Sequence, residues 1–362
     1  MAKPSDRLVT IRGRGTTSNP ANRFVRIEFE PDGEGSEADR GPRTQFFRDA
    51  SRSVITRNES PDVGFEFSIN PYRGCEHGCV YCYARPTHEY FGLSLGLDFE
   101  SKIFVKEEAP DLLRRELSSE RWQPSVIAMS GVTDPYQPVE RRLKLTRRCL
   151  RVLADFGNPV TVISKNQLIA RDADILGEMS ASSAAAAAVS ITTLDTSLQQ
   201  AMEPRTSTPS CRLGAISKLA AAGVPVSVMV APVIPGLTDH EIPEILRAAA
   251  DAGAASAGYI TLRLPYGVKQ LFEEWLERHF PERRKKVLNR VRSIRDGKLN
   301  DSRFRSRMRG EGEYAEQIRA LFRAACEKHG LNRQRQTLSL DAWKSPSASN
   351  AGNSALAQLD LF

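Results

Sequence analysis

Apolar residues in this chain gather into short continuous runs: Phe65 to Asn70, Ser125 to Met129, Pro159 to Ile163, Ala187 to Ile191, Pro225 to Val230 and Ala257 to Arg263. Continuous runs, unlike alternating ones, suit strands covered on both faces. Between them lie amphipathic segments with readable ends. Thr146 is placed to cap a helix reaching about Asp155 and stopping before Gly157-Asn158-Pro159. Ser210 can cap another, with Leu213, Ile216 and Leu219 on one face and Gly223 as its stop. Thr238-Asp239-His240-Glu241 reads as a capping box ahead of Ile245, Leu246 and Ala249. The alanine-rich stretch from Ala181 to Ala188 reads as a helix-to-strand connection. Six successive strand–helix units call for parallel crossovers and hence an α/β barrel, open or closed, with its active site at the carboxyl ends of the strands.

The flanks follow different rules. Residues 1–62 are polar, carry Arg12-Gly-Arg-Gly15 and an acidic stretch from Asp32 to Asp39, and show little periodicity. They are expected to form a partly disordered N-terminal arm with short ordered pieces such as Arg23 to Phe29. Residues 63–265 hold the barrel units. Residues 266–344 form a helical, basic C-terminal extension, with helices over Gln270 to His279, Arg283 to Arg295 and Tyr314 to His329, docked through Trp275, Leu276, Phe280, Leu321 and Phe322. Residues 345–362 are a Ser/Ala/Asn-rich tail.

A hydrophobic content of 40% over 362 residues is ordinary for a globular chain. No run approaches the length of a membrane span, so no membrane role is expected. The net charge of +7 is unevenly spread, with basic residues crowding the stretch from Arg278 to Arg309, notably Arg283-Arg284-Lys285-Lys286. A solvated helix face is the plain explanation of such a run. A balanced face would interleave glutamates, which this one barely does, so a surface for nucleic-acid phosphates is the favoured reading. Charge alone does not choose between DNA and RNA.

Candidate chemistry is concentrated in Arg73-Gly-Cys-Glu-His-Gly-Cys-Val-Tyr-Cys-Tyr83, where Cys75, Cys79 and Cys82 stand in C-x3-C-x2-C spacing. One such loop can offer three thiolates to three irons of a [4Fe–4S] cluster and leave the fourth iron for a small-molecule ligand. Structural zinc is the competing reading, with His77 or His88 as fourth ligand, although zinc sites favour C-x2-C pairs. Cys149, Cys211 and Cys326 are scattered singly, and no secretory segment opens the chain, which argues against a disulfide framework. An oxygen-sensitive cofactor without targeting sequence suggests a cytoplasmic protein.

The spacing, with an aromatic residue before the third cysteine, resembles the signature of radical S-adenosylmethionine (SAM) enzymes. More closely, Asn70-Pro71-Tyr72-Arg73-Gly74-Cys75, Tyr81-Cys82-Tyr83 and the segment from Ser130 to Glu140 are similar to the spore photoproduct lyase-like branch. The likeness implies a partial (β/α)6 TIM-type barrel, SAM bound at the open iron, a 5′-deoxyadenosyl radical, and a flavodoxin- or ferredoxin-type electron donor. It also implies roles for particular residues. Tyr81 would pack on the adenine; Ser130, Gly131 and Thr133 would lie beside the methionyl amine. Lys165 would meet the SAM carboxylate, Ser190 would bond the same ligand, and Ile234 would contact adenine. Thr133-Asp134-Pro135 reads equally as a turn, and Asp239 as a helix cap. Pro232 and Asp239 depart from the glycine and glutamate of the pattern that the family often carries there. Tyr81 and Tyr83 match the branch's radical relay, but Met129 to Asp134 lacks the cysteine that donates hydrogen there.

The final residues, Gln358, Leu359, Asp360, Leu361 and Phe362, look like a bacterial sliding-clamp-binding peptide on a flexible tether. The simpler alternative is an apolar end folded back on its own chain. Together these features point to a radical SAM enzyme acting on DNA by base repair or modification. The same enzyme acting on RNA, a protein or a small molecule is the alternative, and a structural-metal binding protein is the non-enzymatic one.

Overall fold

The computed structural model describes residues 11–25, 42–334 and 337–344. Its centre is a parallel sheet of six strands, β1 (Phe67–Ile69), β2 (Ile127–Met129), β3 (Val160–Ser164), β4 (Ala185–Ser190), β5 (Val226–Val233) and β6 (Ser256–Thr261), each hydrogen-bonded to the next in chain order. Among the described residues β1 and β6 do not pair. The antiparallel strand Ile55–Arg57 instead covers the outer edge of β1, so the barrel is partial and open. Every apolar run of the sequence overlaps its strand, and the runs at Phe65 to Asn70 and Ser125 to Met129 contain theirs entirely.

The helices Ala109–Leu117, Leu145–Phe156, Ala173–Ser180, Pro209–Ala221 and Ile242–Asp251 connect the strands. Leu150, Leu153, Leu176, Ile216, Leu219, Ile245 and Leu246 pack with Ile127, Val160, Val162, Val189 and Val228 in one core. Each such fully buried side chain contributes roughly 1.5–3 kcal/mol of transfer free energy.

The helix ends depart from the local reading, at Glu241 and Asp239 because tertiary partners outcompete neighbours in sequence. Thr146 lies inside its helix, where its hydroxyl donates to the Pro135 carbonyl (2.6 Å) and Glu140 accepts its N–H (3.0 Å). Thr208, not Ser210, caps Pro209–Ala221 by accepting the Cys211 N–H (3.4 Å). Glu241 does not close a capping box, since its carboxylate accepts from Thr193 Oγ1 and the Leu194 N–H, both at 2.7 Å. Asp239 accepts from the Tyr314 hydroxyl rather than capping its helix.

Gly157 ends Leu145–Phe156 in the left-handed region (φ 64°), and a Cβ there would fall on the Ala342 carbonyl. That segment is also anchored by Trp343, stacked on Phe156 at 5.8 Å. Gly157→Ala is therefore expected to cost about 1–3 kcal/mol, through backbone strain and loss of this docking, measurable by urea unfolding.

The flanks are more integrated than their composition suggests. In the arm, Gln45–Arg48 pairs with Lys102–Val105, which also pairs with Tyr72–Arg73, and residues 11–25 pack behind the cysteine loop. The C-terminal helices are Val268–His279, Pro281–Ser293 and Glu313–Lys328. Trp275 and Leu276 are buried as expected and Phe322 packs on Tyr259 at 4.7 Å, but Leu321 points outward and takes no part in docking. Part of the basic run is spent internally. Buried Arg295 donates to Thr261, Leu262 and Ser306, Arg307 pairs with Asp62, and Arg303 pairs with Asp301. Arg283, Lys285 and Lys286 remain exposed. The clamp-like peptide lies outside the described residues. No helix among those described is long and apolar enough to cross a membrane.

Candidate active site

β1 ends at Ile69, and six residues later the chain reaches Cys75 at the strand's carboxyl end. Backbone contacts shape the loop that follows. The Cys75 N–H donates to Phe99 O (2.9 Å), the Gly78 N–H to Cys75 O (3.3 Å), and the Cys82 N–H to Cys79 O (3.2 Å). Gly78 sits at φ 67°, where a Cβ would meet Glu100 Oε2 at 2.7 Å.

The three thiols are free. Cys75 and Cys79 are buried and Cys82 is partly buried. Burial, reinforced by Glu203, raises the Cys79 pKa, while burial and Cys75 push Cys82 up to about 11. Three thiols on one loop, free of disulfides, fit a cationic iron–sulfur cluster, which would take them as thiolates.

Of the histidines weighed as zinc ligands, His77 is engaged at both ring nitrogens and His88 at Nε2, with its Nδ1 buried and unpartnered. Buried His77 has Nδ1 3.4 Å from Asp134 and Nε2 3.2 Å from the Asn166 side-chain amide. Burial disfavours its charged form, but Asp134 and Cys75 outweigh it and push the pKa up to about 10. With its two ring nitrogens facing Asp134 and Asn166, His77 offers no free nitrogen to a metal. His88 has Nε2 2.9 Å from the Lys102 carbonyl, and its ring packs edge-on against Phe91, Phe99 and Phe104. Burial lowers its pKa to about 4.

Tyr81 and Ile234, both expected at the adenine, share one apolar cluster with Cys79, Leu198 and Met202. The Tyr81 hydroxyl donates to Glu203, which also accepts from Thr192 Oγ1 (2.7 Å), Arg212 Nη2 and Lys165 Nζ (3.1 Å). Lys165 follows β3 as expected, and its ammonium additionally donates to Ala231 O (2.7 Å) and Thr192 Oγ1 (3.0 Å). Ser190 closes β4, where its carbonyl accepts from Arg212 Nη1 (3.0 Å). Glu203 and Arg212 therefore organise the polar side of this cluster, although neither belongs to a motif. Glu203-Pro-Arg205 reads in sequence as an ordinary solvated turn, and nothing local marks the carboxylate as buried.

After β2 the chain turns sharply. Ser130 (φ 153°) and Gly131 (φ 133°) both occupy positive φ. Thr133 Oγ1 donates to the Gly74 carbonyl (2.7 Å), tying this turn to the cysteine loop. Asp134 is both a turn residue and a brace: its carbonyl accepts the Gln137 N–H, while its carboxylate accepts from Ser164 Oγ (2.8 Å) and the Lys165 N–H (2.7 Å). Tyr83 is about half exposed and donates to the Gly131 carbonyl at 2.5 Å, with the Arg263 guanidinium 5.2 Å from its ring centre. The structure thus gathers the loops after β1, β2, β3, β4 and β5 at one end of the barrel.

An open six-stranded parallel barrel with three free thiols on the loop after its first strand defines a class. The chain belongs to the Radical SAM superfamily, whose family model matches residues 69–249. Uncharacterized proteins of Mycobacterium tuberculosis and Mycobacterium bovis are 38% identical over 220 residues, covering 60% of this chain and 65% of theirs. An uncharacterized protein of Methanocaldococcus jannaschii is 27% identical over 234 residues, 65% of this chain and 84% of its own. Among solved structures, spore photoproduct lyase complexed with dinucleoside spore photoproduct superposes with a TM-score of 0.56 at 18% identity, covering 79% of this chain and 80% of that one. This likeness bears on fold. The match thus spans just under two thirds of the mycobacterial relatives' length.

Proposed function

We propose that the chain is a radical SAM enzyme that acts on DNA, by base repair or modification, with Cys75, Cys79 and Cys82 holding a [4Fe–4S] cluster. The observation that carries the cluster is the trio of free thiols on one loop at the carboxyl ends of the strands. When bound and reduced by a flavodoxin- or ferredoxin-type donor, this group supplies, with SAM, a 5′-deoxyadenosyl radical that takes a hydrogen atom from the substrate. Tyr81 and Ile234 form an apolar wall suited to a purine. Lys165 supplies positive charge for a carboxylate, and the Ser130–Thr133 turn together with Ser190 supplies polar contacts. Tyr83 stands at the mouth beside the cysteine-free segment Met129 to Asp134 and is assigned to hydrogen return with Tyr81.

DNA as the target is supported by three independent features: the fold of spore photoproduct lyase, the exposed Arg283, Lys285 and Lys286, and the terminal clamp-like peptide. The deciding experiment is anaerobic incubation of reconstituted, reduced protein with SAM and, separately, damaged DNA, intact DNA and RNA. An altered base in a DNA arm alone supports the reading; an altered base only in RNA overturns the choice of target. Deleting Gln358 to Phe362 is expected to abolish co-elution with the sliding clamp and to leave deoxyadenosine formation unchanged. Clamp binding that survives the deletion removes the peptide from the argument.

A further inference from the structure

Residues 14–23 lie along the back of the cysteine loop, and their contacts converge on one buried carboxylate. Glu100 accepts from the Gly15 N–H (2.9 Å), the Thr16 N–H (3.1 Å) and the Thr16 hydroxyl (2.9 Å), and pairs with Arg85 at 2.5 Å. Arg85, fully buried, carries these contacts forward, its Nε donating to Cys79 O (3.0 Å) and its Nη2 to Gly78 O (3.3 Å). Both carbonyls belong to the loop that bears the thiols. Gly15 also lies directly on that loop, since a Cβ at this position would fall on the Gly78 carbonyl. Only glycine allows backbone to approach backbone so closely.

The rest of the segment is fastened alongside. Ser18 O accepts the Leu97 N–H (3.1 Å), Asn19 and Asp98 exchange two hydrogen bonds (3.2 and 3.0 Å), and Asn22 Nδ2 donates to Glu89 O (2.9 Å) and Leu93 O (2.8 Å). Hydrogen bonds to a buried charge are stronger than neutral ones, and leaving Glu100 short of donors is costly. The cysteine loop has little strand pairing of its own beyond Tyr72–Arg73. Its shape therefore depends on what packs behind it.

We propose that residues 14–23 are a strap that holds the cysteine loop in its metal-ready shape, with Gly15, Thr16 and Glu100 as positioning residues acting through Arg85. The inference rests on the reading of Cys75, Cys79 and Cys82 as cluster ligands. A ligand set must be held to within a fraction of an ångström by a supporting shell, and an unsupported loop opens locally far more often than the core unfolds. The strap supplies that support from a part of the chain roughly 60 residues away in sequence.

The test uses full-length Gly15→Ala and Thr16→Val, with Gly214→Ala, whose surroundings are open, as control. In the apoprotein, pulsed alkylation followed by mass spectrometry compares Cys79 and Cys82 with Cys149, a thiol in the barrel core. Gly15→Ala is expected to raise labelling of the loop thiols by ~10-fold or more while Cys149 stays protected. Thr16→Val should act in the same direction but less. In reconstituted protein both variants should lose iron to a chelator faster than wild type. Loop labelling at the wild-type rate in Gly15→Ala overturns the strap, and so does a parallel rise at Cys149 in both variants, which would mean general destabilisation. A wild-type chain that takes up no iron defeats the cluster reading, yet the labelling ratio still decides the strap.

Discussion

Cys79→Ala abolishes the cluster: after anaerobic reconstitution, iron falls from about four per chain to well below one, and deoxyadenosine formation falls to background. The expectation follows from the donor set. The loop offers three thiols, so removing one leaves two, and no spare cysteine stands nearby to substitute. Cys149 lies on Leu145–Phe156 within the barrel core, and Cys211 and Cys326 lie on other helices. Cys149→Ala is the matched control. It removes a buried sulfur at a cost of about 1 kcal/mol and leaves iron content intact. A full complement of iron in Cys79→Ala would sink the assignment. Loading also carries a pH signature. Burial raises the pKa of Cys79 and pushes Cys82 up to about 11, so the metal must displace protons from these two as it binds. Cluster assembly should thus become more favourable as pH rises from about 6.5 to 8.5.

Glu203→Ala produces the largest loss of stability, about 3–5 kcal/mol by urea unfolding, because it strands buried cations. The carboxylate is fully buried and serves Arg212, itself almost without exposure, together with Lys165, Thr192 and Tyr81. Glu203→Gln, which keeps the shape but not the charge, should cost less. Burial by itself works against ionisation of Glu203, but Arg212, Lys165 and the two hydroxyls outweigh it and hold its pKa well below the ordinary glutamate range. A depressed carboxylate contributes its full stabilisation above the unfolded value of about 4.3 and loses it as pH falls below that. The wild-type chain should therefore lose stability steeply between about pH 5 and 3, and Glu203→Ala should flatten that slope. A cost under about 1 kcal/mol with an unchanged pH profile would contradict the picture. The same substitution bears on the site, since it releases the Tyr81 hydroxyl and the Lys165 ammonium together.

These two sites differ in how far the sequence discloses them. The thiols were legible because C-x3-C-x2-C is a local pattern, complete within eight residues. The six strands were legible for a related reason: a strand covered on both faces must be apolar throughout, whatever its partners. Glu203 was not legible. Its partners Tyr81, Lys165 and Arg212 are separated from it by up to 122 residues, and a glutamate beside a proline ordinarily faces water. The absent capping roles of Glu241 and Asp239 have the same origin, as Thr193 and Tyr314 are 48 and 75 residues away from them. Arg295 and Arg307 looked like surface charge because their acceptors, Thr261 and Asp62, lie far away in the chain.

The amino-acid sequence by itself determined the order of the barrel strands, the spacing of the three cysteines and the family to which it points, since each is written in periodicities or spacings of a few residues. Tertiary structure alone decided which charges are buried, which polar ends meet, and that residues 14–23 press against the cysteine loop. Those outcomes depend on desolvation and on contacts between distant segments, and both arise only once the chain has closed on itself.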